Sequence, residues 1–121
     1  MQLKNSLYTI STVAYRELMP TYDLRLHVDH PIYQAHFPGE PITPGVCIIQ
    51  IAQELLEDHL RRPLLLQAVK NVKFLSVISP VETPAVTYRF DKIAEADAAV
   101  RAQVAVLSGD TELARLSFTC R

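Results

Sequence analysis

One segment of the chain has the pattern of an amphipathic helix, and it lies among stretches that have the pattern of strands. Thr43 suits an N-cap and Pro44 the first helical position, while Arg61-Arg62-Pro63 supplies cations and a stop at the other end. Between these ends, apolar residues recur at helical spacing: Ile48, Ile49, Ala52, Leu55 and Leu56. The sequence therefore predicts a helix of about 18 residues, from Pro44 to Arg61.

The two ends of this predicted helix differ in polarity. Its first turns, residues 45–49, are apolar on every side, which predicts that this end is buried. Further along, Glu54, Glu57 and Asp58 are expected on a polar face.

Several stretches alternate between apolar and polar residues, as half-buried strands do. Residues 22–28 alternate from Tyr22 to Val28, and similar patterns follow at 71–75, 86–90 and 100–106. Ser108-Gly109-Asp110 predicts a turn into a last strand that ends at Cys120. Residues 93–99 are ambiguous because their alanines could equally begin a helix. One helix with five or six antiparallel strands predicts an α+β fold in which the sheet buries the helix.

Length and composition limit the classes of protein to consider. The 121 residues fit a single domain, residues 1–121, and 49% of them are hydrophobic, which is enough for a packed core. A net charge of −1 gives no electrostatic reason to expect nucleic acid or a membrane surface as partner. The two cysteines suggest buried, reduced thiols, and the N-terminus has no apolar run like that of a signal peptide. We therefore expect a cytoplasmic protein.

The loop ahead of the helix carries the residues suited to chemistry. Three prolines and Gly39 stiffen residues 38–44, directly before the helix N-terminus. The free N–H groups there can bind a carbonyl oxygen that develops negative charge, and Gly45 leaves its N–H accessible. His36 precedes the loop and can move a proton near neutral pH. The pattern fits an oxyanion site beside a base, and it fits equally a rigid turn with an incidental surface histidine.

The same residues carry a resemblance to a known family. Residues 36–46 read His-Phe-Pro-Gly-Glu-Pro-Ile-Thr-Pro-Gly-Val, which closely resembles the signature of β-hydroxyacyl-acyl carrier protein dehydratases. Residues 73–80 and 102–121 are similar to later strands of that family. The resemblance implies a hotdog fold, in which an antiparallel sheet wraps around one central helix. It also implies dimers with active sites at the interface, and acyl carrier protein bearing an acyl thioester as partner.

The resemblance assigns roles to individual residues. His36 would take the α-proton of a β-hydroxyacyl thioester, and the N–H of Gly45 would hold the thioester carbonyl. Phe37, Val46 and Ile49 would line part of an acyl tunnel. The implied activity is that of a hydro-lyase in fatty-acid or related lipid biosynthesis, with no cofactor and no metal.

The chain departs from the family at the position of its acidic residue, where Gln50 stands. Glutamine can hold a hydroxyl or water, but it cannot donate a proton as a carboxylic acid does. Glu54, one helical turn further on, and Glu40 in the loop are possible substitutes. The family's Pro-Gly-Asp also reads Pro80-Val81-Glu82 here.

Gln50 leaves other functions open. The chain could supply His36 and Gly45 to a homodimer with a modified site, or to a heterodimer whose partner brings the carboxylate. It could also be a non-catalytic hotdog subunit, or an acyl thioesterase in which Gln50 or a nearby acid positions the attacking water. Lys70, Lys73 and Arg89 fit either a docking patch for an acidic carrier protein or a solvated strand face.

Overall fold

The computed structural model describes residues 2–35 and 39–121, which form six strands and two helices. The elements in chain order are β1 (Tyr8–Arg16), β2 (Met19–Leu26), α1 (Ile32–Ala35), α2 (Gly45–Leu60), β3 (Leu66–Phe74), β4 (Ala85–Ala96), β5 (Ala99–Ser108) and β6 (Thr111–Cys120).

All six strands belong to one sheet, in the order β1-β2-β4-β5-β6-β3. Every neighbouring pair is antiparallel. β1 and β3 therefore form the two edges of the sheet. Because β3 follows α2 in the chain but pairs with the last strand, the helix crosses one face of the sheet before β3 begins.

The core lies between α2 and that face of the sheet. The helix buries apolar side chains along its whole length: Cys47, Ile48, Ile51, Ala52, Leu55 and Leu56. The sheet buries large side chains against them, and the hydroxyl of Tyr88 donates to the carbonyl of Ile48 at 3.0 Å. An antiparallel sheet wrapped around one long helix is the hotdog architecture, so the fold expected from the sequence is confirmed.

The strands include the predicted stretches, although β2 and β3 begin earlier than their patterns, at Met19 and Leu66. Three further points differ. β1 was not predicted, because a bulge between Ile10 and Thr12 interrupts its alternation and its outer half is exposed. Residues 93–96 continue β4 rather than start a helix, because they pair with β5. Val28 lies beyond the end of β2 and is half exposed, so its expected burial is wrong.

The helix also differs from its prediction at the first end. Its N-cap is Pro44, and Thr43 does not cap it: the Thr43 hydroxyl lies 3.0 Å from the hydroxyl of Tyr33 in a buried pair. Burial on every side of the first turns is wrong, since Val46 is 74% exposed. The loop predicted before the helix contains the short helix α1.

At the C-terminal end of α2, Arg61 adopts a left-handed conformation and donates its N–H to the carbonyl of Glu57, which ends the helix as expected.

Candidate functional site

The N-terminus of α2 presents backbone donors that the helix does not use. The first helical hydrogen bonds run from the N–H groups of Cys47 and Ile48 to the carbonyl of Pro44, at 3.0 and 3.1 Å. The N–H groups of Gly45 and Val46 come before these bonds and have no carbonyl of the helix to bind. Together with the helix dipole, such N–H groups can stabilise an oxygen that gains negative charge.

Gly45 lies in close contact with the end of β3. A Cβ atom built on Gly45 would lie 2.9 Å from Cζ of Phe74, closer than carbon atoms pack. The Phe74 ring would have to move to admit any other residue. The glycine of the motif therefore leaves room for the half-exposed Phe74 ring as well as access to its own N–H. The contact also brings the N-terminus of α2 to the edge strand of the sheet.

Gln50 lines an open cleft of about 720 Å³ beside α2, together with Gln53, Glu54 and Lys4 among others. Its Nε2 donates to Oε2 of Glu54 at 3.0 Å. An ionised carboxylate only accepts hydrogen bonds, so the nitrogen end of the Gln50 amide faces Glu54. This bond fixes the orientation of the residue that stands at the family's acidic position.

Glu54 is buried, although the sequence placed it on the polar face of the helix. Its two oxygens accept the N–H groups of Leu3 at 2.7 Å and Lys4 at 2.8 Å, and the hydroxyl of Tyr8 at 2.9 Å. The expectation was wrong because the N-terminal residues fold over this part of α2. No local pattern could reveal a contact between segments so far apart in the chain.

These bonds decide whether Glu54 can replace the missing acid. With the bond from Gln50, its oxygens accept four hydrogen bonds, and no oxygen is left to carry a proton without the loss of one. Glu54 therefore anchors the N-terminal segment and Gln50 rather than offering a proton. Glu40, the other possible substitute, lies exposed in the loop.

The phenols near this cluster stay protonated. Burial raises the pKa of Tyr8 far above its ordinary value, and the Glu54 carboxylate raises it further. Burial likewise raises the pKa of Tyr22, as does the bond that its hydroxyl donates to Asp58 at 2.9 Å. Asp58 also pairs with Nζ of Lys4 at 3.3 Å. Glu54 and Asp58 are thus held by donors from β1, β2 and the N-terminal segment.

The remaining predicted site residues have different outcomes. His36 and Phe37 lie outside the described residues. Val46 and Ile49 lie on the first turns of α2, and Ile49 is half-buried against the core. Burial raises the pKa of the Cys47 thiol, which keeps it protonated and suits packing rather than nucleophilic attack.

Within residues 2–35 and 39–121, no three histidine, cysteine or acidic side chains lie close enough together to hold a metal ion. None of the helices in this part of the chain has the length and apolar character needed to cross a bilayer.

Most of the chain matches a known protein family. Residues 14–110 match the ApeI-like family, described as ApeI dehydratase. The match covers most of the chain and includes the whole motif from residue 36 to residue 46. The chain belongs to the ApeI-like dehydratase family.

Curated relatives of this ApeI-like chain are dehydratases that it matches over part of their length. It is 34% identical over 61 residues to 3-hydroxyacyl-[acyl-carrier-protein] dehydratase FabZ of Syntrophobacter fumaroxidans, covering 44% of this chain and 42% of the relative. The FabZ of Clostridium acetobutylicum is 38% identical over 56 residues, which is 40% of each chain. The chain thus spans about two fifths of the length of these relatives.

Solved structures share the fold of the ApeI-like chain. The dehydratase heterocomplex ApeI:P of Xenorhabdus doucetiae contains a chain with a TM-score of 0.61 and 20% identity, covering 91% of this chain and 97% of that one. The yhdA protein of Lactococcus lactis, described as a candidate thioesterase, has a TM-score of 0.67 and 10% identity, covering 95% and 91%. At these identities the likeness concerns the fold alone.

Proposed function

We propose that this ApeI-like chain is a subunit of a cytoplasmic (3R)-hydroxyacyl-[acyl carrier protein] dehydratase, a hydro-lyase of fatty-acid or related lipid biosynthesis. The observation that carries the proposal is the place of Gly45, the motif glycine. It begins the central helix with an N–H that no helical carbonyl accepts. The family membership and the FabZ relatives support the same reaction class.

In the proposed reaction, His36 removes the α-proton of the β-hydroxyacyl thioester. The electron pair of the broken C–H bond moves toward the thioester carbonyl, whose oxygen gains negative charge and accepts the N–H of Gly45. The pair then forms the Cα–Cβ double bond as the Cβ–O bond breaks. The acyl chain would extend past Phe37, Val46 and Ile49.

The leaving hydroxide needs a proton, and Gln50 cannot supply it. We propose that Gln50, held by Glu54, binds the β-hydroxyl by a hydrogen bond. The proton then comes either from His36, which returns the one it took, or from a carboxylic acid of a partner subunit. In both cases the products are the enoyl thioester and water.

The missing acid favours a heterodimer over a homodimer as the active form. A relative of the same fold belongs to a dehydratase heterocomplex, which supports an assembly of two different hotdog chains. In such an assembly this chain would provide His36 and Gly45, and its partner would provide the carboxylate. A homodimer with low activity is one alternative. A non-catalytic subunit with a purely structural role is the other.

The test of the reaction uses the purified chain with β-hydroxyacyl thioesters of acyl carrier protein or coenzyme A. We expect slow formation of the enoyl thioester. Gln50→Glu should accelerate it by up to ~10²–10⁴-fold, the usual contribution of a positioned general acid. His36→Ala should abolish the activity, because the α-proton then has no base. Gln103→Glu, which adds the same charge on an exposed position of β5, should change nothing.

One result would replace the proposal. If the unmodified chain hydrolyses acyl thioesters rapidly and Gln50→Glu leaves dehydration unchanged, the chain is a thioesterase. If neither reaction occurs with either variant, but activity appears when an acid-bearing hotdog chain is added, the heterodimer is the active form.

A further inference from the structure

Thr43 is held by two hydrogen bonds from different parts of the chain. Its hydroxyl lies 3.0 Å from the hydroxyl of Tyr33 on α1. Its N–H donates to the carbonyl of Ile78, in the loop between β3 and β4, at 2.8 Å. Tyr33 is 2% exposed and Thr43 is 4% exposed. Because water does not reach this depth, removal of either hydroxyl should leave the other one unpaired.

The anchored residue lies two positions before the glycine of the motif. Pro44 stands between Thr43 and Gly45, and its ring restricts the backbone there, with φ at −62° and ψ at 145°. Helix α2 begins at Gly45, and the carbonyl of Pro44 accepts the first helical hydrogen bonds. The position of Thr43 therefore sets the direction of the Gly45 N–H, because only one stiff residue separates them.

A second buried phenol contacts the same end of the helix from inside it. The hydroxyl of Tyr88 donates to the carbonyl of Ile48 at 3.0 Å, and Tyr88 is as deeply buried as Tyr33. Ile48 lies within α2, where its carbonyl also has the helical N–H of Ala52 as a donor. Tyr88 therefore supports a residue that the helix already fixes, whereas Tyr33 holds the backbone that precedes Gly45.

We propose that Tyr33 and Thr43 are positioning residues that aim the N–H of Gly45 at the thioester carbonyl. The inference rests on the proposed function, which supplies this carbonyl, and it adds two residues that act through the backbone. A donor stabilises the charge that develops on an oxygen most effectively when its direction is fixed beforehand, since no free energy is then spent on turning it. The buried hydroxyl pair provides this fixed direction.

The first test measures dehydration of β-hydroxyacyl thioesters by Tyr33→Phe and Thr43→Val, in the chain alone or in its heterodimer, whichever turns over. Each variant should lower kcat by up to about 100-fold, the cost of a misplacement near 1 Å. KM should stay nearly the same, because the carbonyl oxygen gains its charge only in the transition state. Thr43→Ser, which keeps the hydroxyl, should restore most of the rate that Thr43→Val loses.

Tyr88→Phe is the matched control for a loss of stability. It removes an equally buried phenol that donates to α2, so its urea midpoint should fall to a similar degree as that of Tyr33→Phe. Its kcat should remain that of the unmodified chain, because the backbone before Gly45 keeps both of its anchors. Equal losses of kcat in Tyr33→Phe and Tyr88→Phe would overturn the proposal.

A double variant separates the hydrogen bond from the packing of the two side chains. Tyr33→Phe with Thr43→Val leaves no hydroxyl unpaired, so its urea midpoint should return toward that of the unmodified chain. Its kcat should stay low, because the bond that fixes Thr43 is still absent. A double variant that regains kcat together with stability would assign both residues to packing and overturn the positioning role.

A second measurement does not depend on turnover. Amide hydrogen exchange, followed by NMR, reports how firmly the N–H of Thr43 is held on the carbonyl of Ile78. Tyr33→Phe should lower the protection of this amide by about tenfold, because the loss of a buried hydrogen bond makes local opening easier. In Tyr88→Phe the protection should stay unchanged.

The exchange measurement lets the inference and the proposed function fail separately. Unchanged protection of the Thr43 amide in Tyr33→Phe would overturn the inference, whatever the rate of dehydration. Loss of this protection, without dehydration by any variant or by any mixture with a hotdog partner, would overturn the proposed reaction and support the anchoring of Gly45 by the hydroxyl pair.

Discussion

Glu54 joins the first residues of the chain to the middle of α2. We expect Glu54→Ala to lower the free energy of unfolding by about 2–4 kcal/mol, because the buried N–H group of Leu3 and the half-buried N–H group of Lys4 would lose their acceptor. Urea denaturation measures the change. Glu95→Ala, which removes an exposed ion pair with Arg62, should cost no more than about 0.5 kcal/mol. Equal costs for the two variants would contradict the anchoring role.

The bond between Gln50 and Glu54 also sets the pH dependence of the restored acid. In Gln50→Glu, a carboxyl would lie about 3 Å from the Glu54 carboxylate, where two charges cannot easily coexist. The pKa of the new carboxyl should therefore be raised, which keeps a proton available for the leaving hydroxyl. Its contribution to the rate should be present at low pH and fall as pH rises through the raised pKa.

The raised pKa of the new carboxyl should also make the stability of Gln50→Glu depend on pH. Because the folded-state pKa is raised, Gln50→Glu should be closest to the unmodified chain in stability below the ordinary pKa of glutamate, about 4.3. The deficit should grow as pH rises through the folded-state pKa. Urea unfolding of both proteins at several pH values measures it, and a pH-independent difference would show that the two carboxyls do not interact.

Among individual residues, the glycine at the start of the helix could be predicted from the sequence, but the contacts of the glutamates could not. Gly45 could be placed because the proline and glycine pattern is local. Glu54 could not, because its acceptor role depends on Leu3 and Lys4 and on how the N-terminal segment crosses α2. The orientation of Gln50 was hidden for the same reason.

Among the secondary-structure elements, the β4–β5 hairpin has an unfavourable turn sequence. Asp97 and Ala98 have φ values of 53° and 63°, in the left-handed region that favours glycine. We expect Ala98→Gly to raise the free energy of unfolding by about 0.5–1 kcal/mol, because the left-handed strain exceeds the entropic cost of glycine. Ala96→Gly, in the adjoining strand, should lower it. Thermal denaturation distinguishes the two, and a loss of stability in Ala98→Gly would contradict the turn geometry.

The elements could be predicted where their periodicity is regular. Helix α2 begins one residue after its predicted start and ends one residue before its predicted end. β1 could not be predicted, because the bulge after Ile10 shifts its alternation and its residues from Ser11 to Arg16 are exposed on both sides. Thr43 was assigned to the cap on residue type alone, while its buried contact with Tyr33 was invisible in the sequence.

For the whole molecule, buried phenols predict how the fold responds to alkali. The pKa values of Tyr8, Tyr22 and Tyr88 are raised chiefly by burial. Above pH about 10, the unfolded chain therefore releases protons that the folded chain retains. Stability should be kept below that pH and fall as pH rises above it. As pH rises, the absorbance of tyrosinate should increase over the same range in which the circular dichroism signal is lost. Full ionisation of the tyrosines in a folded chain would contradict the burial.

The fold of the whole molecule could be predicted largely because one motif is specific. Alternating strands and one helix gave the α+β class, and residues 36–46 narrowed it to the hotdog fold. Strand order could not be derived from local patterns, since β3 pairs with β6 rather than with the strand that follows it.

That crossover has a consequence for the order of folding. β3 pairs with β6, for example Leu66 with Cys120. The long stretch of chain between these two strands must therefore be brought into a closed loop before the hydrogen bonds of β3 can form. Contacts of this kind form slowly compared with the hairpins that join β4, β5 and β6. We therefore expect the amides of β3 to gain protection from hydrogen exchange after those of the hairpins. A chain in which the hairpins have formed but β3 has not would leave the outer side of β6 open to water, including Phe118, which is buried in the complete fold.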